Sequence, residues 1–277
     1  MSEIYESSGA RLVFDDAGTG TPVLFLHPTP TDGTFWRPVI AGLEGIRAIV
    51  PDLRGHGGSE LGRMLPVGEF DRVPDAPVLT MRQLGADILS LLDHLKLDQA
   101  FFVGCSIGGY VLLELWRRAP ERMRGLAFVC SKPQPDSEPG LAKRVATIAA
   151  ARQDSAAKVL DGMAENLVGA TARKGRPQIV TELRASMTLT TEALVSVQAG
   201  LAVRPDSVPT VATMNAPVLA IAGGEDQSVS PQEMEAFHAA PGGCEWRLLE
   251  RAGHAAAYEQ PREVADLIQK WLRGHAA

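Results

Sequence analysis

The sequence predicts an α/β fold, with a mostly parallel central sheet, helices on both faces and a helical insertion past the middle of the chain. Three observations carry that reading. Strand-like and helix-like segments alternate along most of the 277 residues. The central strand candidates are short, unbroken apolar runs, as expected of strands covered on both faces. One long stretch, residues 131–215, offers helical patterns and no convincing strand.

Taken in order, Arg11–Asp15, Val23–His27 and Ala48–Asp52 read as strands. Glu60–Leu79, rich in Pro, Gly and Asp, reads as a long loop. In Thr80–Leu95 the residues Leu84, Ile88, Leu91, Leu92 and Leu95 recur at helical spacing. The strand Ala100–Val103 then runs almost directly into a helix, Ser106–Ala119, and Leu126–Cys130 is the next strand. Beyond the helical block come strands Val218–Ala222 and Glu245–Leu249, and a helix Pro261–Leu272 with proline in its first turn, where the missing N–H costs nothing. Residues 1–130 and 216–277 are therefore expected to form a core domain, and residues 131–215 a helical cap, or lid, inserted into it.

Composition narrows the function classes. The apolar fraction is 45%, enough for a substantial core, and the net charge of −6 comes from interspersed acids and bases. No basic stripe points to nucleic acid, and no apolar run approaches the length of a bilayer span, so neither nucleic acid nor membrane is an expected partner. Cys105, Cys130 and Cys244 lie far apart without metal-like spacing. The opening residues MSEIYESSGA lack the basic and apolar regions of a signal peptide. A reduced, cytoplasmic protein with no metal is the expectation.

The abrupt strand-to-helix junction holds Gly104-Cys105-Ser106-Ile107-Gly108, which matches G-x-S-x-G, the nucleophile elbow. In such a turn the positions two before and two after the serine are pressed together, so both must be glycine. The serine hydroxyl is thrust out at the top of the sheet, and the helix that follows aims its N-terminus at it. The N–H of Ile107 can then donate to a developing oxyanion.

Serine is a poor nucleophile at neutral pH and needs a base held by an acid. A strand and acidic loop, APVLAIAGGEDQSVSP, offers Asp226 as the acid, with Glu225 and Asp136 as rivals. A second strand and loop, RLLERAGHAAAYEQP, offers His254 as the base. His27 and His56 read as structural, and His94, His238 and His275 carry no role. Cys105 reads as a buried packing residue, Asp52 and Arg54 as structural, and Trp36 as a packing anchor. Met163, Leu167, Met187 and Leu189 read as the interior of the helical block rather than as pocket lining.

With LFLHPTPTDGTFW, VPDLRGHGGS, the acid loop and AGHAAAYEQP added to the elbow, the chain resembles the α/β-hydrolase fold over nearly its whole length. Its chain order Ser106, Asp226, His254 is that family's order. The branch it is similar to comprises small esterases, enol-lactone hydrolases and cofactor-free haloperoxidase-like proteins. The resemblance implies a serine hydrolase acting on a small-molecule ester or lactone, without cofactor, and implies the backbone N–H of Thr29 as the second oxyanion donor. Carbon–carbon bond hydrolysis, perhydrolysis, thioester or amide cleavage on the same triad, or a non-catalytic ligand receptor, are its alternatives. Dehalogenases and epoxide hydrolases of similar fold use aspartate at the elbow, where this chain has serine. One departure is His27-Pro28, where the family usually has His-Gly. The amide lost there is that of residue 28, which leaves Thr29 N–H available. Thr29-Pro30 is a candidate for the cis form.

Overall fold

The computed structural model describes residues 2–63 and 76–276. Eight strands form one sheet: β1 Glu3–Ser7, β2 Ala10–Gly18, β3 Thr21–Leu26, β4 Ile46–Pro51, β5 Ala100–Cys105, β6 Met123–Val129, β7 Val218–Gly223 and β8 Cys244–Leu249. Their spatial order is β1-β2-β4-β3-β5-β6-β7-β8. The β1–β2 and β2–β4 pairs are antiparallel, and every other neighbouring pair is parallel. The twelve α-helices among the described residues are α1 Arg37–Ile40, α2 Met81–His94, α3 Ile107–Arg118, α4 Glu138–Gln153, α5 Ala156–Leu167, α6 Ala170–Gly175, α7 Ile179–Ala185, α8 Thr191–Ala202, α9 Val208–Val211, α10 Pro231–Met234, α11 Ala256–Glu259 and α12 Pro261–His275.

The apolar runs are explained by two cores, one on each face of the sheet. Phe101, Val103, Ala127, Val129 and Ile221 face one side, where Val264, Ile268 and Trp271 of α12 cover them. Phe102, Leu126, Phe128 and Ala220 face the other, covered by Leu84, Ile88 and Leu91 of α2 and by Val111 and Leu115 of α3. Alternation is therefore present, but both faces are dry, so hydrophobicity never alternates with polarity.

The sequence pattern missed β1. Its core-facing residues are Tyr5 and Ser7, while Ile4 is exposed, which hides the alternation. A two-residue turn at Ser8 and Gly9, both with positive φ (46° and 72°), joins it to β2 as an edge hairpin. Of the expected loop Glu60–Leu79, residues 64–75 lie outside the described residues. No helix among the described residues is long and apolar enough to cross a membrane.

Between β6 and β7 the chain is helical, α4 to α9, with no strand. Thr190 caps α8 by accepting from Ala193 N–H, and every residue of α8 from Ala193 to Ala202 is buried. Gly200 of α8 lies so close to Leu79 that a Cβ there would fall 1.8 Å from its carbonyl oxygen, which fixes this helix against the main body.

Candidate active site

Strand β5 delivers Ser106 to the corner at φ 52°, ψ −115°, a conformation that L-residues rarely adopt. Three backbone-directed bonds hold it there. Ser106 N–H donates to Val129 O at 3.1 Å, and its carbonyl accepts from Tyr110 N–H at 3.2 Å and from the Ser131 hydroxyl at 2.9 Å. Both flanking glycines are obligatory. A Cβ on Gly104 would stand 2.6 Å from Gly108 C, and one on Gly108 would stand 2.2 Å from Leu26 O.

The loop after β7 carries Asp226, whose side chain is fully buried. Its Oδ1 accepts from the N–H groups of Ser228 (2.7 Å) and Val229 (3.0 Å), while Oδ2 lies 2.8 Å from His254 Nδ1. A carboxylate only accepts, so Nδ1 of His254 carries the proton and Nε2 keeps its lone pair. Ser106 and His254 line the same cavity, of about 400 Å³. No hydrogen bond joins them among the described residues; such bonds are often long in a ligand-free site and tighten when substrate is bound.

The loop after β3 is built by two buried histidines. His27 Nε2 accepts the N–H of Leu53 at 2.9 Å, and its Nδ1–H donates to Pro28 O at 3.0 Å. His56 donates from Nδ1 to Arg54 O at 3.0 Å and accepts the Thr29 hydroxyl at Nε2, 2.9 Å away. Burial lowers His27 to about 4. Burial, reinforced by the neighbouring His27, lowers His56 to about 3. Both rings are thus neutral near pH 7, as these tautomers require. The Thr31 hydroxyl and N–H both close onto Pro28 O, at 2.8 and 3.1 Å. Thr29-Pro30 is cis, as the sequence suggested. Among the described residues the N–H groups of Thr29 and Ile107 donate to no protein acceptor, so both are available to an anion.

The rival carboxylates are committed elsewhere. Asp136 pairs with Arg144 Nε at 3.1 Å and Arg204 Nη1 at 2.8 Å. Burial pushes its carboxyl upward, but the two guanidiniums outweigh this and hold it below the usual range. Glu225 accepts Thr171 N–H at 2.8 Å and the Thr171 hydroxyl. Burial raises the Cys105 and Cys130 thiols far above their ordinary value, so neither is a ready thiolate. Trp36 packs on Phe25 and Phe35 away from the cavity, and Arg54 forms a buried bidentate pair with Asp87.

Residues of the helical block line part of the cavity. Met163 and Leu167, expected only as interior packing, line the cavity, whereas Met187 and Leu189 do not. Sequence reading also missed Lys132, Arg144 and Gln198 in the cavity wall, and Glu259 behind the His254 loop. Glu259 sits two residues before a helix-starting proline, which gave no hint that its carboxylate takes the N–H groups of Gly253 and Gly169.

A solved esterase from Thermogutta terrifontis, with malate bound, is 28% identical, covers the whole of both chains and superposes with a TM-score of 0.88. An enol-lactonase from Burkholderia xenovorans LB400 is 22% identical over 98% of this chain and 100% of its own, with a TM-score of 0.85, and supports the fold alone. Among curated proteins, epoxide hydrolase 2 of Siraitia grosvenorii is 32% identical over 122 residues, 43% of this chain and 35% of that protein. The match thus spans about a third of that relative's length. The sequence model of the alpha/beta hydrolase family matches residues 23–267, nearly the full chain, and with this sheet order and elbow the protein belongs to that family of hydrolases.

Proposed function

We propose that the protein hydrolyses a small carboxylic ester or lactone through an acyl-enzyme. One observation carries the reading: a serine held at positive φ on a strand-to-helix corner shares a cavity with an imidazole whose far nitrogen is bonded to a buried carboxylate. Ser106 Oγ attacks the carbonyl carbon, and His254 Nε2 takes the hydroxyl proton. Asp226 keeps the proton on Nδ1 and balances the imidazolium that forms. The N–H groups of Thr29 and Ile107 donate to the tetrahedral oxyanion. His254 then protonates the departing alcohol oxygen, and in the second half accepts a proton from the water that releases the acid.

The curated relative opens epoxides, but enzymes of that type attack with an elbow aspartate, and residue 106 is serine. Esters are therefore favoured over epoxides. The test is labelling with a fluorophosphonate together with turnover of p-nitrophenyl acetate and small lactones. A single label on Ser106, and a loss of at least a thousandfold in kcat in Ser106→Ala, is expected. An unlabelled serine, or ester turnover that survives the substitution, would overturn the assignment.

A further inference from the structure

The cavity that Ser106 and His254 line is unexpectedly cationic for a chain of net charge −6. Lys132, Lys143 and Arg144 line it, with Asp136 and Glu233 as the facing acids. Glu233 is taken by Lys132 and by its capping box with Ser230. Asp136 is shared between two guanidiniums, those of Arg144 and Arg204, so one positive charge in that trio has no counter-charge. Arg204 is the more buried of the two and lies over the Tyr110 ring at 4.4 Å, which leaves Arg144 as the cation at the cavity wall.

The second observation is independent of charge. Gln198, from the buried Ala193–Ala202 stretch of α8, also lines the cavity and is 1% exposed. Its Oε1 accepts Arg144 Nη1–H at 3.0 Å. Arginine only donates, so this contact fixes which end of the amide is oxygen. Nε2 is thereby left buried with two N–H groups and no acceptor among the described residues. Arg144 Nη2 also has no hydrogen-bond acceptor among the described residues. A cavity wall that presents a guanidinium with a shared counter-ion and an unpaired Nη2, held in place by Gln198, is built to receive an anion.

We propose that the substrate carries a carboxylate remote from its scissile carbonyl, and that Arg144, held by Gln198, receives it. The proposal rests on the reading of Ser106 as nucleophile, and specifies the substrate class as an acidic ester or lactone. The surplus positive charge of the Arg144–Asp136–Arg204 trio, with Lys143 beside it, matches an anion. The carboxylate takes the unpaired Arg144 Nη2–H, with the guanidinium held in place by Gln198 Oε1, and so orients the ester carbonyl toward the corner serine instead of merely adding affinity. Arg144 and Gln198 are positioning residues in this scheme, since neither touches the reacting atoms.

The test uses Ser106→Ala protein, in which binding is read without turnover. Calorimetry compares monomethyl pimelate with dimethyl pimelate, for a carboxylate on the acyl side, and 4-acetoxybenzoate with phenyl acetate, for one on the alcohol side. At least one charged compound should bind tenfold or more tightly than its neutral match. Gln198→Leu, Gln198→Glu and Arg144→Gln, each added to Ser106→Ala, should abolish most of that preference. No preference in either pair, or a preference unchanged by all three substitutions, would overturn the proposal. The charged-versus-neutral comparison decides it even if a variant fails to fold. Fluorophosphonate labelling of the unaltered enzyme separates the two ideas. A labelled Ser106 without carboxylate preference removes this proposal alone, whereas carboxylate preference without labelling removes the hydrolytic reading and leaves an anion-binding cavity.

Discussion

Glu259 accepts the backbone N–H of Gly253 with both carboxylate oxygens, at 3.0 and 3.1 Å, immediately before the histidine of the site. Its Oε2 takes the N–H of Gly169 as well, at 3.1 Å, from the start of α6. A neutral amide cannot replace it, because one oxygen becomes an NH2 that faces donors. Glu259→Gln should therefore lower unfolding free energy by about 1–3 kcal/mol in urea titrations, the usual cost of a buried unpaired group. It should also reduce kcat, because Gly253 fixes the approach to His254. Unchanged stability and kcat would show that the carboxylate only fills space.

Asp226→Asn should separate chemistry from folding. Oδ1 of the amide can still accept from Ser228 and Val229, so the loop should keep its shape. The NH2 would then face His254 Nδ1 and force the proton to Nε2, the atom that acts as base in the proposed mechanism. A fall in kcat of about 10⁴-fold with a melting temperature within a few degrees of the parent is expected. Residual activity near the parent level would place the acid elsewhere.

Gly108→Ala should fail at the level of the fold. The added methyl meets Leu26 O at 2.2 Å, a backbone atom in the central strand β3 that has no room to retreat. A loss of soluble protein, or destabilisation of about 3 kcal/mol or more, is expected, in the range of strong overpacking. At Gly162 of α5 an added Cβ would meet nothing within 4 Å, so Gly162→Ala is the matched control and should be neutral or slightly stabilising.

Acid should destabilise the protein partly through its two neutral histidines. In the folded state His27 and His56 take up protons only near pH 4 and 3. In the unfolded chain both do so near 6.5. The unfolded state therefore binds more protons across this window, and stability falls as the pH drops from about 6.5 toward 3. Each ring should account for about 2 kcal/mol between pH 7 and pH 5. Urea midpoints for His27→Gln should show a shallower loss over that range than the parent, and parallel curves would refute the assignment.

The sheet and the corner were legible in the sequence because they depend on local pattern. Apolar runs of strand length and two glycines around Ser106 announce themselves within five residues. The Asp226 and His254 loops were legible for the same reason, each being a polar turn that follows a strand, buried β7 for the first and the partly exposed edge strand β8 for the second. The cavity wall was not. Gln198 lies in a helix apolar on nearly every side, and nothing local marks its amide as half-satisfied. Arg144 lies on α4, whose mixed surface shows no clear stripe, and its importance arises only from Asp136 and Arg204, eight and sixty residues away. β1 escaped because its inward face is one tyrosine and one serine.

The contact between Gly169 and Gly253 has a further consequence. A Cβ on Gly253 would come within 2.3 Å of Gly169 N, so the two main chains touch without any side chain between them. Leu167 O accepts from Ala255 N–H at 2.8 Å on the same seam. The α5–α6 junction cannot swing outward as a hinged flap without dragging the imidazole loop along. Breathing of that junction and transient loss of the proposed base are then one event, and heat inactivation should begin at this seam before the sheet itself gives way.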